Sequence, residues 1–434
     1  MYICNNKISL KMKVKHIDIQ NFHAIRNFNY ECGEGVNVLI GVNGAGKSSF
    51  LQAIKILMSW FVARVRNPKG RGISLVDEDI TIGEDFCSLS IEFDNNIRWN
   101  ISKTRAYGKT SDNVSKSNFE QINSFVSSLR ESENESMPVM AFYGVNRSVQ
   151  ERDIPLRLRK KHELSPLDVY NDTLDSGTNF RSFFEWFRER EDLENEHIRD
   201  DFSYRDVQLS SVRRALESVF EGYGHFKVRR SPRAFVLEKN GQVLNFKQLS
   251  DGEKCYITLV GDLARKLSMA NPQASCRNPL DCSGGIVMID EVDLHLHPDW
   301  QVDILPNLVR IFPKCQFFVT THSPFVVSGA RTYNGTDTIV RLDSGIPTIV
   351  DDTFGLSVDN ILTETFRVKT LRNNEVRHLQ SIIWNYLQEG DIDNGEYKSA
   401  LNELHNILRP SDIEFARIKA EEMKIKKYSD EKNQ

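Results

Sequence analysis

Gly41-Val42-Asn43-Gly44-Ala45-Gly46-Lys47-Ser48 is the stretch on which the reading of this chain turns. It follows the apolar run VNVLI (36–40) and precedes SSFLQAIKILMSWFVARV (48–65), so a glycine-rich loop lies between a predicted strand and a predicted helix. That is the setting a phosphate loop requires; the bland alternative is a glycine turn that binds nothing. Glycines let the backbone wrap closely enough for its N–H groups and the helix N-terminus to face phosphates. Lys47 would then neutralise the terminal phosphates and Ser48 would ligate Mg²⁺. Asn43, Gly44, Ala45, Gly46, Lys47, Ser48 and Ser49 are therefore the candidate nucleotide-binding residues, with ATP and Mg²⁺ as the expected cofactors.

Working outward, strand patterns occupy VKHIDIQNF (14–22), CSLSIEF (87–93), IRWNIS (97–102) and PVMAFYGV (138–145), and the polar Ser- and Asn-rich stretch near 108–136 reads as a surface excursion. Helical spacing follows, with Phe180, Phe183, Phe184 and Phe187 on one face. With Trp186 this stripe could stack on bases, but the spacing favours packing. Strands resume at HFKVRR, AFVLEK and QVLNF, then a long helix from Asp251, the strand GGIVMID, another helix, and QFFVTT. The expected division is 1–150 and 224–345 as two parts of one α/β head, 151–223 as a helical insertion, and 346–434 as a helical partner-docking region.

Composition sets outer bounds. The 434 residues are 40% hydrophobic and 27% charged, an ordinary globular balance. A net charge of −4 lacks the basic excess of a DNA-coating protein, so any nucleic-acid contact must be local. Two basic clusters offer one, Arg157, Arg159, Lys160 and Lys161, and Lys227, Arg229, Arg230 and Arg233, against the plainer reading of solvated faces. Seven cysteines without C-x-x-C spacing read as reduced thiols. No apolar run approaches a membrane span and the start of the chain lacks a signal-peptide core, so a cytoplasmic protein is expected.

Further chemistry lies downstream. Ile286-Val287-Met288-Ile289 is an apolar run delivering Asp290 and Glu291 at its end, where Asp290 would hold Mg²⁺ and Glu291 would polarise an attacking water. Ser250 and Glu253 fit the capping box of a helix start. His295 and His297 lack partners at metal-ligand spacing. Asp391 and Asp393 suggest a Toprim nuclease pair, but helix patterns flank them and a polar turn fits better.

The order of phosphate loop, LSDGEK (249–254) before a long helix, acidic strand end and Thr320-Thr321-His322-Ser323 resembles the ABC-type ATPases of the SMC and RecF kind. The resemblance implies an ABC-type P-loop head with a mixed, mainly parallel sheet and flanking helices. It implies that Ser250 and Gly252 grip the γ-phosphate of ATP held by a facing subunit, that His322 reaches that phosphate, and that Asp293 lies on a loop crossing the interface. Asp251 and Glu253 depart from the usual LSGGQ, and Asn146 and Gln150 are only candidates for the Mg²⁺-binding glutamine. The segments VNVLIGVNGAGKSSFLQAI, PVMAFYGVNR, FFEWFREREDLEN, LSDGEKCYITLVGDLARKL and IDEVDLHLHPDWQ look most like PtuA, the ATPase of Septu and some retron anti-phage systems. That likeness implies a homodimer or larger oligomer working with a separately encoded HNH nuclease, PtuB-like, through which DNA would be contacted. The competing expectations are a RecF-type repair ATPase that binds DNA itself and an OLD-like nuclease.

Overall fold

The computed structural model describes residues 12–105, 116–131, 137–145, 166–171, 173–175, 180–271, 278–332, 336–343, 345–351, 353–368 and 372–432. In chain order these form β1 (Val14–Phe22), β2 (Ile25–Glu31), β3 (Val36–Gly41), α1 (Lys47–Arg66), β4 (Phe86–Phe93), β5 (Arg98–Thr104), α2 (Glu120–Glu131) and β6 (Val139–Tyr143). Next come α3 (Phe180–Ile198), α4 (Val207–Val219), β7 (Tyr223–Arg230), β8 (Arg233–Lys239), β9 (Gln242–Asn245), α5 (Asp251–Ala270) and α6 (Pro279–Cys282). The first compact unit, Met1–Ile361, closes with β10 (Gly285–Ile289), α7 (Pro298–Ile311), β11 (Cys315–Thr320), α8 (Pro324–Gly329), β12 (Thr338–Asp343), β13 (Ile346–Val350) and α9 (Val358–Asn360).

The central sheet has the order β13-β12-β3-β11-β10-β6. All its pairings are parallel except β12 with β13. Every residue of β3, β10 and β11 is buried, as expected of strands with both faces covered. A second, antiparallel sheet runs β2-β1-β4-β5. Buried Gln316 of β11 stitches the two sheets together: its side chain accepts from Val14 N at 2.7 Å and donates to Val14 O and Gly33 O, each at 2.8 Å. Buried polar groups are tolerated where both donors and acceptors are met, and this amide meets that condition.

The phenylalanine stripe of α3 is packing. Phe183, Phe184 and Phe187 are fully buried, Phe180 stacks on Phe246 at 4.1 Å, and the rings close around Phe235 of β8, with Phe187 edge-on at 5.1 Å. Gly261 of α5 allows this approach, since a Cβ there would lie 2.8 Å from the Phe183 ring. The β7-β8-β9 sheet thereby joins α3 and α5 through aromatic contact.

Three expectations are corrected. The polar stretch near 108–136 is not only a surface excursion, because α2 buries Ile122, Val126 and Leu129 on one face while its serines and glutamates face water. The head does not close at residue 345, because β13 adds a further strand; it is a half-exposed edge strand, so its sequence lacks the apolar run of a central one. Cys32, Cys87, Cys255 and Cys315 are free thiols, but Cys282 is disulfide-bonded; sequence spacing does not report approach in space. Among the described residues no helix is long and apolar enough to cross a membrane.

The second unit, Leu362–Gln434, packs α10 (Asn374–Glu389), α11 (Gly395–Ile407) and α12 (Ile413–Lys432) around Leu379, Ile383, Leu387, Tyr397, Leu404 and Ile418. Asp391 and Asp393 lie in the turn between α10 and α11, where Gly390 ends one helix in the left-handed region and Asn394 caps the next. Asp393 is paired with Lys398 at 2.9 Å. No strand carries these acids, which is the polar turn and not the strand-end geometry of a Toprim pair.

Phe235→Ala should remove the ring on which Phe180, Phe183, Phe184 and Phe187 converge. A loss of roughly 3–5 kcal/mol in unfolding free energy is expected by urea denaturation.

Candidate functional site

β3, β11 and β10 are consecutive parallel neighbours, so Gly41, Thr320 and Asp290 emerge at the same sheet edge. That edge, outside the carboxyl ends of parallel strands, is where α/β sheets bind ligands. Gly41 takes φ 150°, and a Cβ on it would lie 2.6 Å from Leu342 O, so β12 presses on the loop where the chain leaves β3. Gly46 caps α1 in the left-handed region, with φ 103°, and makes no side-chain cap bond. The first turn of α1 also carries no acid. An uncapped helix start presents free N–H groups and a positive dipole end, both suited to an anion.

Lys47 is buried, and its ammonium donates to Gly41 O at 2.9 Å and Val42 O at 3.1 Å. Burial pulls its pKa down while the charges of Asp290 and Glu291 pull it up. Ser48 Oγ lies 3.3 Å from Asp290 Oδ1, so the hydroxyl and carboxylate expected to hold Mg²⁺ stand side by side. Oxygen donors of this kind suit a hard cation, and the pair fits a magnesium that keeps most of its remaining ligands as water and phosphate.

Thr320 belongs to no sequence motif that gives it a role of its own, yet it organises the acids. Its hydroxyl donates to Asp290 Oδ1 at 2.5 Å and accepts from the Glu291 amide at 2.7 Å. Glu291 itself sits at φ 48°, in the left-handed region that costs a non-glycine residue roughly 1–2 kcal/mol. Thr321 repeats the arrangement, donating to Asp293 Oδ1 at 2.5 Å and accepting from Ser323 N at 2.9 Å. Two adjacent threonines at the end of a buried strand, opposite an acidic strand end, were the available signal. His322 follows on the exposed side, with its pKa lowered by desolvation and by Lys47, and pulled back up by Asp293, Glu291 and Asp290. Its ring is thus biased toward the neutral form.

Ser250 is exposed at the start of α5 and forms the capping box expected from the sequence. Its Oγ and N both donate to Glu253 Oε2 at 2.6 Å, and Glu253 N donates back to Oγ at 3.3 Å. Gly252 is buried, and a Cβ there would come within 2.3 Å of His295 O. Only a residue without a side chain lets the loop carrying Asp293 and His295 sit against this helix start. His297 caps α7, its Nδ1 accepting from Asp299 N at 3.4 Å, which gives it a structural part.

Of the second basic cluster, Lys227 and Arg229 are exposed, while Arg230 is engaged with Glu191 at 2.6 Å and with Asp192. The first cluster, together with Asn146 and Gln150, lies outside the described residues.

Parallel sheet, phosphate loop, acidic strand end and helix-borne signature together define an ABC-type P-loop head. The chain belongs to the family described as "AAA domain, putative AbiEii toxin, Type IV TA system", whose model matches residues 36–328. It is similar to the "Retron Ec83 probable ATPase" of Escherichia coli, 28% identical over 73% of this chain and 69% of that one. It is also similar to "Septu protein PtuA" of Bacillus thuringiensis, 24% identical over 73% of each chain. A solved SMC head domain from Thermotoga maritima aligns with 79% of this chain and 99% of its own, at 18% identity and a TM-score of 0.40.

Thr320→Val keeps the shape of the side chain but removes both bonds to the acids; ATP turnover should fall about tenfold or more, and the partners left without the hydroxyl should lower unfolding free energy by about 1–3 kcal/mol. A proton NMR titration should place the His322 midpoint below the ordinary 6.5, and Lys47→Met should move it upward by removing the neighbouring positive charge.

Proposed function

We propose that this chain is the ATP-binding and ATP-hydrolysing subunit of a bacterial anti-phage defence complex. Two copies close around nucleotide, and the closed assembly regulates a separately encoded HNH nuclease of the PtuB kind. The observation that carries the reading is the junction of Lys47, Ser48 and Asp290 at one sheet edge, with the signature residues Ser250 and Gly252 at the head of a different element, α5. The chain carries one phosphate loop and one signature motif. In an isologous pair each surface is supplied twice, so one copy's loop can meet the other's signature.

In this reading the amides of Asn43 to Ser49 cradle the phosphates, and Lys47 exchanges its two backbone carbonyls for phosphate oxygens. Ser48 and Asp290 hold Mg²⁺, which when bound supplies charge neutralisation at the phosphates. Glu291, fixed through its amide by Thr320, accepts a proton from the attacking water, and His322 donates from the neutral ring to the terminal phosphate. Asp293 stands on the loop beside Gly252 and lies at the boundary between copies. The relatives named for Septu and retron systems support the defence role, and the second unit is assigned to partner docking. The protein is placed in the cytoplasm, where ATP, phage DNA and a nuclease partner meet.

Exposed Lys227 and Arg229 on β7 support the second reading, a repair ATPase of the RecF kind that binds DNA itself. Salt-sensitive DNA binding by the single chain at low ionic strength, lost in Lys227→Glu/Arg229→Glu, would favour it.

Glu291→Gln should lower ATP turnover by about 10²-fold or more while leaving nucleotide affinity near wild type, measured by phosphate release and by fluorescent ATP binding. Unchanged turnover would remove Glu291 from the mechanism. A chain lacking 362–434 should bind ATP but no longer co-purify with a co-expressed HNH partner; retained co-purification would exclude the second unit as the dock.

A further inference from the structure

Glu253 is the point at which the signature is tied to a separate sheet. Its carboxylate is buried, and its two oxygens face different ways. Oε2 takes both bonds from Ser250, whereas Oε1 accepts from Lys239 Nζ of β8 at 2.7 Å and from the Tyr223 hydroxyl of β7. Lys239 also lies over the Tyr223 ring, 5.3 Å from its centroid. Burial alone would raise the carboxyl pKa, but the bonds from Lys239, Ser250 and Tyr223 hold it down to about 2, so the group is ionised at neutral pH.

Two consequences follow for a phosphate arriving at Ser250. A serine hydroxyl has one hydrogen, and here it is committed to Glu253, so Ser250 can donate to a phosphate oxygen only by leaving that carboxylate. A buried carboxylate deprived of a donor is costly unless others remain on it. An unneutralised negative charge beside the serine would also repel the phosphate.

Resting on the composite-site reading above, we propose that Lys239, assisted by Tyr223, is a positioning residue for the signature: it neutralises Glu253 and frees the Ser250 hydroxyl for a phosphate presented by a second copy. Lys239 does not touch the nucleotide. It acts through Glu253, keeping the charge of that acid from opposing the arriving phosphate. The β7-β8-β9 sheet is therefore part of the nucleotide-sensing machinery.

The test uses the full chain with MgATP and reads self-association by sedimentation velocity, with fluorescent ATP binding as the check that the phosphate loop is intact. Lys239→Met should bind nucleotide like the wild type but associate about tenfold more weakly. Lys239→Arg should recover most of the loss. Glu253→Gln needs no counter-ion, so it should associate with ATP by itself and should restore association in the Lys239→Met/Glu253→Gln double variant. A merely structural ion pair would show its loss as a lowered unfolding midpoint in Lys239→Met and would leave MgATP-dependent association of the folded variant unchanged. Wild-type association in Lys239→Met, or a double variant as weak as Lys239→Met beside a competent Glu253→Gln, would overturn the proposal. Ser250→Arg separates the two levels: if it associates with ATP like the wild type, the composite-site reading itself fails. If it does not while Lys239→Met is unaffected, only the role of Lys239 fails.

Discussion

Parallel pairing of β3, β11 and β10 sets everything the site can do. Three neighbouring strands running the same way bring the phosphate loop, the acidic strand end and the Thr320–Ser323 turn to one edge, and the hydroxyl of Thr320 then fastens Asp290 and the Glu291 amide together. Changing the direction of any one strand would send its functional end to the opposite edge. The left-handed backbone of Glu291 is sustained by this constraint: its amide is held by Thr320, and Val292 N donates to Thr320 O at 2.9 Å. Strain of this kind persists where the surroundings over-determine the conformation.

The two helix starts divide the work. α1 begins at a glycine with no capping side chain, leaving its amides free for an anion. α5 begins with a full capping box, so its serine already has a partner in Glu253. The first helix start is open to an anion, while in the proposed composite site the second must give something up to receive one. The loop carrying Asp293 and His295 packs directly against the start of α5, where a Cβ on Gly252 would lie 2.3 Å from His295 O.

Much of the head was legible from sequence because its central strands are uninterrupted apolar runs and its loop has a restrictive spelling. The phosphate loop, the acids after β10 and the Ser250 cap could each be placed from local pattern alone. β13 was not legible as a strand, because an edge strand shows neither a continuous apolar run nor a buried face. α2 hid behind serines and asparagines, its three buried residues spaced over a short helix. The roles of Thr320, Thr321, Tyr223 and Lys239 depend on side chains meeting across distant parts of the chain. Glu253, 14 residues from Lys239 and 30 from Tyr223, belongs to no local motif with either.

Trans-complementation reads out whether one ATP site is built from two copies of the chain. Lys47→Ala removes the phosphate-loop half and Ser250→Arg removes the signature half; each variant alone should be inactive in ATP turnover. Mixing the two should restore turnover, because a mixed pair joins the intact loop of one copy to the intact signature of the other. Full turnover by Ser250→Arg alone, or no recovery on mixing variants that are shown to associate, would contradict the account.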